Sequence, residues 1–193
     1  MIHHLLFDLC WLACLAWQPT HTLQYAVWHG DDQVGTMQVA RFEQGERTTI
    51  RVRMQAEVEL LFSLSIESTY ETTFENGQMT AAQVRTYRND ELHSYTNCWL
   101  EEGQLHIDRD GKRSLMPLPV QYTIANSYFG PPTPQQEVFS ERFGSFQSFE
   151  QLSDGCFRLE LSDGSRSTYR YVDNTCQTVE VETWLTDLRM ERQ

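Results

Sequence analysis

The sequence predicts an all-β fold: one antiparallel meander of about ten to twelve strands, rolled into a curled sheet or half-open barrel with one short helix. Three observations carry that prediction. First, from Ile50 to Phe74 the even positions are mostly apolar (Ile50, Val52, Met54, Val58, Leu64, Ile66, Tyr70) and the odd ones mostly polar (Arg51, Arg53, Glu57, Glu59, Glu67, Glu71). Side chains alternate across a strand, so this period gives one apolar and one solvated face. Second, turn residues such as Gly30-Asp31-Asp32, Asn76-Gly77, Asn89-Asp90, Asp110-Gly111 and Asp154-Gly155 recur at short intervals. Third, no long segment of helical period exists to supply crossovers, which disfavours a parallel sheet.

The elements follow in order. Leu23 to His29 and Val34 to Phe42 read as the first two strands. A single strand over Ile50–Phe74 would span roughly 80 Å at about 3.3 Å per residue, so it must break, and Leu61 interrupts the polar parity near Glu59 to Ser63. Asn76-Gly77 accepts positive φ cheaply and turns the chain into Met79 to Arg88. Glu91 to Leu100, Gln104 to Asp108 and Lys112 to Met116 continue the meander. Pro117 and Pro119 interrupt it, and Val120 to Phe129 has near-helical spacing ahead of Pro131-Pro132. Glu137 to Glu141, Ser145 to Leu152, Cys156 to Leu161, Ser167 to Val172 and Cys176 to Leu188 resume the strand rhythm. A sheet of so many strands twists and curls, and its apolar face must be covered by its own far side, by the helix or by a ligand.

The chain has 193 residues, suited to one core. A formal charge of −12 argues against nucleic acid and anionic membranes as partners. Residues 1–22 stand apart. The apolar run Leu5 to Trp17, too short to span a bilayer as a helix, is followed by Gln18-Pro19 and resembles the core of a secretory signal peptide. Cleavage is expected after Ala16 or nearer Thr22, leaving residues 23–193 as one exported β domain, periplasmic or extracellular, with no transmembrane span. Leu12-Ala13-Cys14 offers lipoprotein anchoring as a lesser alternative. The remaining cysteines are Cys98, Cys156 and Cys176. The meander places Cys156 and Cys176 on strands two spacings apart, roughly 9–10 Å, beyond the 4.4–6.8 Å a disulfide spans, so three buried free thiols are expected.

Candidate chemistry is sparse. His106 and Asp108 share a strand face with Tyr95, Trp99 and His93, and His beside a carboxylate suits acid–base work. Yet Leu92, Cys98, Leu100, Leu105 and Ile107 mark the opposite face as core, which makes the His/Asp set a solvent face. No zinc spacing, nucleophile elbow or phosphate loop appears, so neither a cofactor nor a metal is assigned. Glu141, within Val138-Phe139-Ser140-Glu141-Arg142-Phe143-Gly144, is expected to be a buried carboxylate paired with an arginine, or else a ligand-anchoring or catalytic carboxylate. A half-closed sheet leaves apolar surface that a ligand can fill. The candidate lining is Met54, Phe62, Leu64, Ile66, Tyr70 and Phe74 with Tyr128 and Glu141.

The order Tyr25-Ala26-Val27, Val34-Gly35, Leu61-Phe62, Phe74-Glu75-Asn76-Gly77, Ala125-Asn126-Ser127-Tyr128-Phe129, Val138 to Gly144 and Tyr169-Arg170-Tyr171 resembles a bacterial domain-of-unknown-function family of exported β-rich proteins, found largely in the Bacteroidetes group. The resemblance covers nearly all of the chain after residue 22. It departs at Gly130-Pro131-Pro132, where an acidic residue is expected before the proline. It implies no catalytic residues, and its shape is similar to the half-barrels of periplasmic lipoprotein carriers, an analogy of fold alone. The functional expectation is a protein that binds an apolar or amphipathic molecule or lipid. The alternatives are a self-packed structural or interaction protein and, behind both, a cavity enzyme of isomerase or cyclase type.

Overall fold

The computed structural model describes residues 18–59, 61–116, 119–134 and 136–193. Most of the expected leader, with the candidate anchoring residue Cys14, lies outside them. The first eight strands are β1 (His21–His29), β2 (Asp32–Gln44), β3 (Arg47–Glu59), β4 (Ser63–Glu75), β5 (Gln78–Arg88), β6 (Glu91–Glu101), β7 (Gln104–Arg109) and β8 (Lys112–Met116). A 3-10 helix, Ile124–Phe129, separates these from β9 (Glu137–Ser140), β10 (Ser145–Ser153), β11 (Cys156–Glu160), β12 (Arg166–Val172), β13 (Thr175–Glu182) and β14 (Leu188–Arg192).

All fourteen form one sheet in the order β8-β7-β6-β5-β4-β3-β2-β1-β14-β13-β12-β11-β10-β9. Two antiparallel meanders are thus zipped together where the terminal strands meet, Val27 opposite Met190. The edges are β8 and β9, the two strands joined by the helical segment. The roll stays unclosed between them.

The expected break falls in place: β3 ends at Glu59, β4 starts at Ser63, and Leu61 is fully exposed on the turn. Register puts Val52 opposite Tyr70, Met54 opposite Ser68 and Ala56 opposite Ile66, so the even positions share the inner face. β1 opens at His21, which pairs with Arg41, so the sheet takes in the last two residues of the segment read as a leader.

Two expectations need correction. The run Cys176 to Leu188 is two strands, because Thr183 and Asp187 redirect the backbone. The Thr183 hydroxyl accepts the N–H groups of Leu185 and Thr186 at 3.2 and 3.1 Å, and the Asp187 carboxylate accepts that of Thr183 at 3.3 Å. Such local bonds compete with the ladder. In the second correction, a bulge between Thr86 and Tyr87 shifts the register against β6, pairing Ser94 with Thr86 but Leu92 with Tyr87. Leu92 is therefore exposed rather than core, and His93, itself exposed, comes to the rim of the interior.

The helical segment crosses the inside of the roll. Val120 accepts the Met79 N–H at 2.7 Å, and the Tyr171 hydroxyl donates to the Ser127 carbonyl at 2.8 Å. Tyr128 packs edge-on against Tyr25 and Tyr169. Where the edges approach, the β9–β10 turn lies on the inner face of β6 and β7: the Thr96 hydroxyl donates to the Arg142 carbonyl at 2.7 Å, and Arg109 sits over the Phe143 ring. Gly144, at φ 64°, leaves no room for a side chain, since a Cβ there would meet Ile107 Cγ2 at 2.6 Å. Side-chain packing rather than backbone pairing seals this seam.

Cys98, Cys156 and Cys176 are all free and buried. Cys156 stands opposite Arg170 and Cys176 opposite Tyr171, flanking one strand as the meander requires.

Candidate functional site

Only part of the interior is filled. The helical segment and the aromatic cluster of Tyr25, Tyr128 and Tyr169 occupy the half toward the Asn76-Gly77 turn. The other half holds a cavity of about 450 Å³. Its walls are Met37, Val52, Met54, Ile66, Ser68 and Tyr70 on one side and Ser167, Tyr169, Val179, Val181 and Met190 on the other, with Ile124, Ala125 and Tyr128 from the helix. Its mouth is set by Arg88, His93, Arg142, Leu161, Asp163 and the loop Thr183 to Thr186. A second hollow of about 530 Å³ lies outside, lined mainly by Gln24, Gln38, Arg53, Gln55 and Glu67. Although larger, it is a polar groove on the solvated face and lacks the apolar walls of a small-molecule site.

Of the residues named from the sequence, Met54, Ile66, Tyr70 and Tyr128 come together around the cavity. The other four do not line it. Phe62 is 56% exposed on the β3–β4 turn, because the strand stops before it. Leu64 is buried opposite Val58, nearer the strand end. Phe74 belongs to the packed half, where Val120 and Met79 fill the roll. Glu141 is fully buried beneath the cavity floor.

The expected arginine partner of Glu141 is absent. Its Oε1 accepts the Thr72 hydroxyl and the Ala125 N–H, both at 3.2 Å, while Oε2 has no hydrogen-bond partner. Burial raises its pKa, and the hydrogen bonds from Thr72 and Ala125 offset this only in part. Through those two bonds the carboxyl pins helix to sheet. The arginine beside it in sequence, Arg142, instead lies 3.5 Å from Asp163.

Titratable groups in the walls are held uncharged. Burial raises the Tyr70, Tyr128 and Tyr169 phenols. Burial likewise pushes the Cys98 and Cys176 thiols up to about 12, which leaves them poor nucleophiles. At the mouth the charge is mainly positive. Arg88 and His93 are both lowered from their ordinary values, by burial first and then by Arg142 for the former and by Arg88 and Arg142 for the latter. Burial acts to raise Asp163, but hydrogen bonds from Ser165 and the Arg142 charge hold it below its ordinary value.

His106 and Asp108 do lie on the outer face. His106 stacks on Trp99 with centroids 5.2 Å apart and sits 3.6 Å from Glu101, while Asp108 accepts the Tyr95 hydroxyl at 3.4 Å. They form a solvated cross-strand network remote from the cavity. Sequence reasoning missed Arg88, His93, Arg142, Asp163 and the Thr183–Thr186 loop. The bulge that sets His93 at the mouth leaves no trace in a period-two pattern, and the loop was hidden in what reads as one strand.

Residues 25–193 match the family described as Domain of unknown function (DUF6134). The chain belongs to that family. No curated protein matches it significantly. Among solved structures it is similar to the crystal structure of a beta-barrel-like protein of domain of unknown function DUF1849 from Brucella abortus, with a TM-score of 0.60 and 12% identity, covering 91% of this chain and 96% of that one. At that identity the likeness is one of fold. It agrees with the architecture described above: an all-β, barrel-like domain. No described helix is long and apolar enough to cross a membrane.

Proposed function

We propose that this domain binds one apolar or amphipathic small molecule inside the roll. The observation that carries the reading is the cavity of about 450 Å³ between an apolar sheet wall and the helix. That volume falls within the roughly 300–1,000 Å³ of small-molecule sites. Its lower-middle size suits a single chain or ring system better than a lipid with two tails. Two further points support the reading. Tyr70 and Tyr128 line the space, and the acid–base pair named from the sequence, His106 with Asp108, does not. A carrier or sensor role fits such a site better than catalysis. Export is part of the same proposal, on the apolar run Leu5 to Trp17, and N-terminal sequencing of the mature chain checks it.

The test is fluorescence titration of the full chain with N-phenyl-1-naphthylamine, a neutral apolar probe. Saturable uptake of one probe per chain is expected. Ser68 lines the cavity, so Ser68→Phe should abolish uptake while the melting transition stays cooperative. Absence of uptake by the folded wild type, or uptake undiminished in a folded Ser68→Phe, counts against the proposal.

A second reading, an interaction protein, has one observation in its favour: Leu61, Phe62 and Trp184 are exposed at the same end of the sheet, on the β3–β4 turn and the β13–β14 loop. The two readings are compatible if a ligand enters by that end.

A further inference from the structure

The chain carries 27 acidic and 15 basic residues, yet the cavity lining reverses that balance. Among the lining side chains are two arginines, one histidine and one acid. The acid, Asp163, is already committed: it lies 3.5 Å from Arg142 and accepts the N–H and hydroxyl of Ser165. Arg88 has no such match. No carboxylate lies within 4.0 Å of it among the described residues, and its Nε is shut off from solvent without a hydrogen-bond partner. Most arginines in comparable settings are matched, as Arg41 is with Glu43, Arg51 with Glu71 and Arg189 with Glu191. The Nε groups of Arg41, Arg158 and Arg189 are likewise shielded without a hydrogen-bond partner, but Arg41 and Arg189 have a carboxylate close by and none of the three lines the cavity.

A guanidinium nitrogen shielded from water with no partner is costly, and the fork of N–H groups, still open at the mouth, fits a carboxylate or phosphate in two-pronged fashion. Arg142 is close enough to Arg88 and His93 for its charge to act on both. The three donors therefore stand together at the mouth, above walls that are mostly apolar with Ser68 and Ser167 among them. That is a polar head site over an apolar tail site.

We infer that the cavity takes a single-chain amphiphile with an anionic head, a carboxylate or a phosphate monoester, the head held by Arg88 with Arg142 and His93 and the tail lying against Ile66, Tyr70 and Tyr128. The inference rests on the ligand reading above and adds the chemistry of the head.

The test compares four ten-carbon probes below their micellar concentrations on the full chain, by displacement of N-phenyl-1-naphthylamine. They are decanoate, decyl phosphate, 1-decanol and decyltrimethylammonium. One or both anions should bind about tenfold more tightly than decanol, and the cation more weakly than decanol. Arg88→Gln should bring the anions to the decanol level and leave decanol unchanged. The stronger anion in the wild type assigns the head as carboxylate or phosphate. Equal binding of anions and decanol, tightest binding of the cation, or an equal loss of decanol in Arg88→Gln would overturn the inference while leaving the apolar site intact. Failure of all four to displace the probe would instead remove the ligand reading itself.

Discussion

The two halves of the roll solve the same problem differently. Toward the Asn76-Gly77 turn, the apolar inner face is covered by the chain's own helical segment and by β9, with Phe139 and Val138 fully buried. Toward the β3–β4 turn, the same face, continued by Met54 and Ile66 on the same strands, is left half-buried around a cavity rimmed by Arg88, His93, Arg142 and Trp184. Strand patterning is identical across the divide. What differs is whether the helical segment and β9 cover it. A curled sheet does not by itself specify a ligand site; the length of the internal plug does.

Substitutions in the packed half should cost stability, and those in the open half should not. The largest effect belongs to Phe139→Ala, which empties a fully buried aromatic position against Phe146 and is expected to cost about 3–5 kcal/mol in urea unfolding. Gly144→Ala should cost about 2 kcal/mol, from the left-handed backbone and the 2.6 Å approach to Ile107. A near-neutral result there would mean that the seam between the sheet edges is loose.

Glu141 gives the comparison a pH axis. Its folded pKa is raised above the ordinary 4.5, so the folded state binds the proton more tightly than the unfolded chain does. Its contribution is full below pH 4.5 and declines as pH rises toward the folded pKa, by about 1.4 kcal/mol for each unit of displacement. Urea midpoints for wild type should thus fall, relative to those of Glu141→Gln, as pH rises above 4.5 toward the folded pKa; the variant keeps an Oε1 acceptor for Thr72 and Ala125. Parallel curves for the two proteins would show that the carboxyl is already ionised in the fold.

At the open end, Trp184→Ala removes a side chain that is 84% exposed and should change stability by less than about 0.5 kcal/mol. A loss comparable to that of Gly144→Ala would place Trp184 in packing rather than at a mouth.

Much of the architecture was legible because a half-buried antiparallel sheet writes its period directly into the chain. The break before Ser63, the inward set Val52, Met54, Leu64 and Ile66, and the separation of Cys156 from Cys176 all follow from parity and turn chemistry. Pairing of β1 with β14 did not, since it joins residues some 160 positions apart with no local signature. The cavity was half legible. Its wall residues Met54, Ile66, Tyr70 and Tyr128 carry the apolar pattern, but the pattern cannot tell which inner-face positions the plug covers, so Leu64 and Phe74 were grouped with them. The cationic mouth was invisible because Arg88 and Arg142 sit at strand ends and turns, where charge is ordinary, and become notable only once register brings them together.

The central claim is that the unplugged half of the roll, and no other part of the molecule, takes up an apolar molecule. Hydrogen–deuterium exchange of the full chain with and without saturating 1-decanol tests it most directly, because the neutral probe does not depend on the head site. Added protection is predicted in 124–129, in the Ile66–Tyr70 part of β4, and in β13 with the 183–187 loop. Protection confined to the outer groove of Gln24, Gln38 and Glu67, or none anywhere, would contradict it.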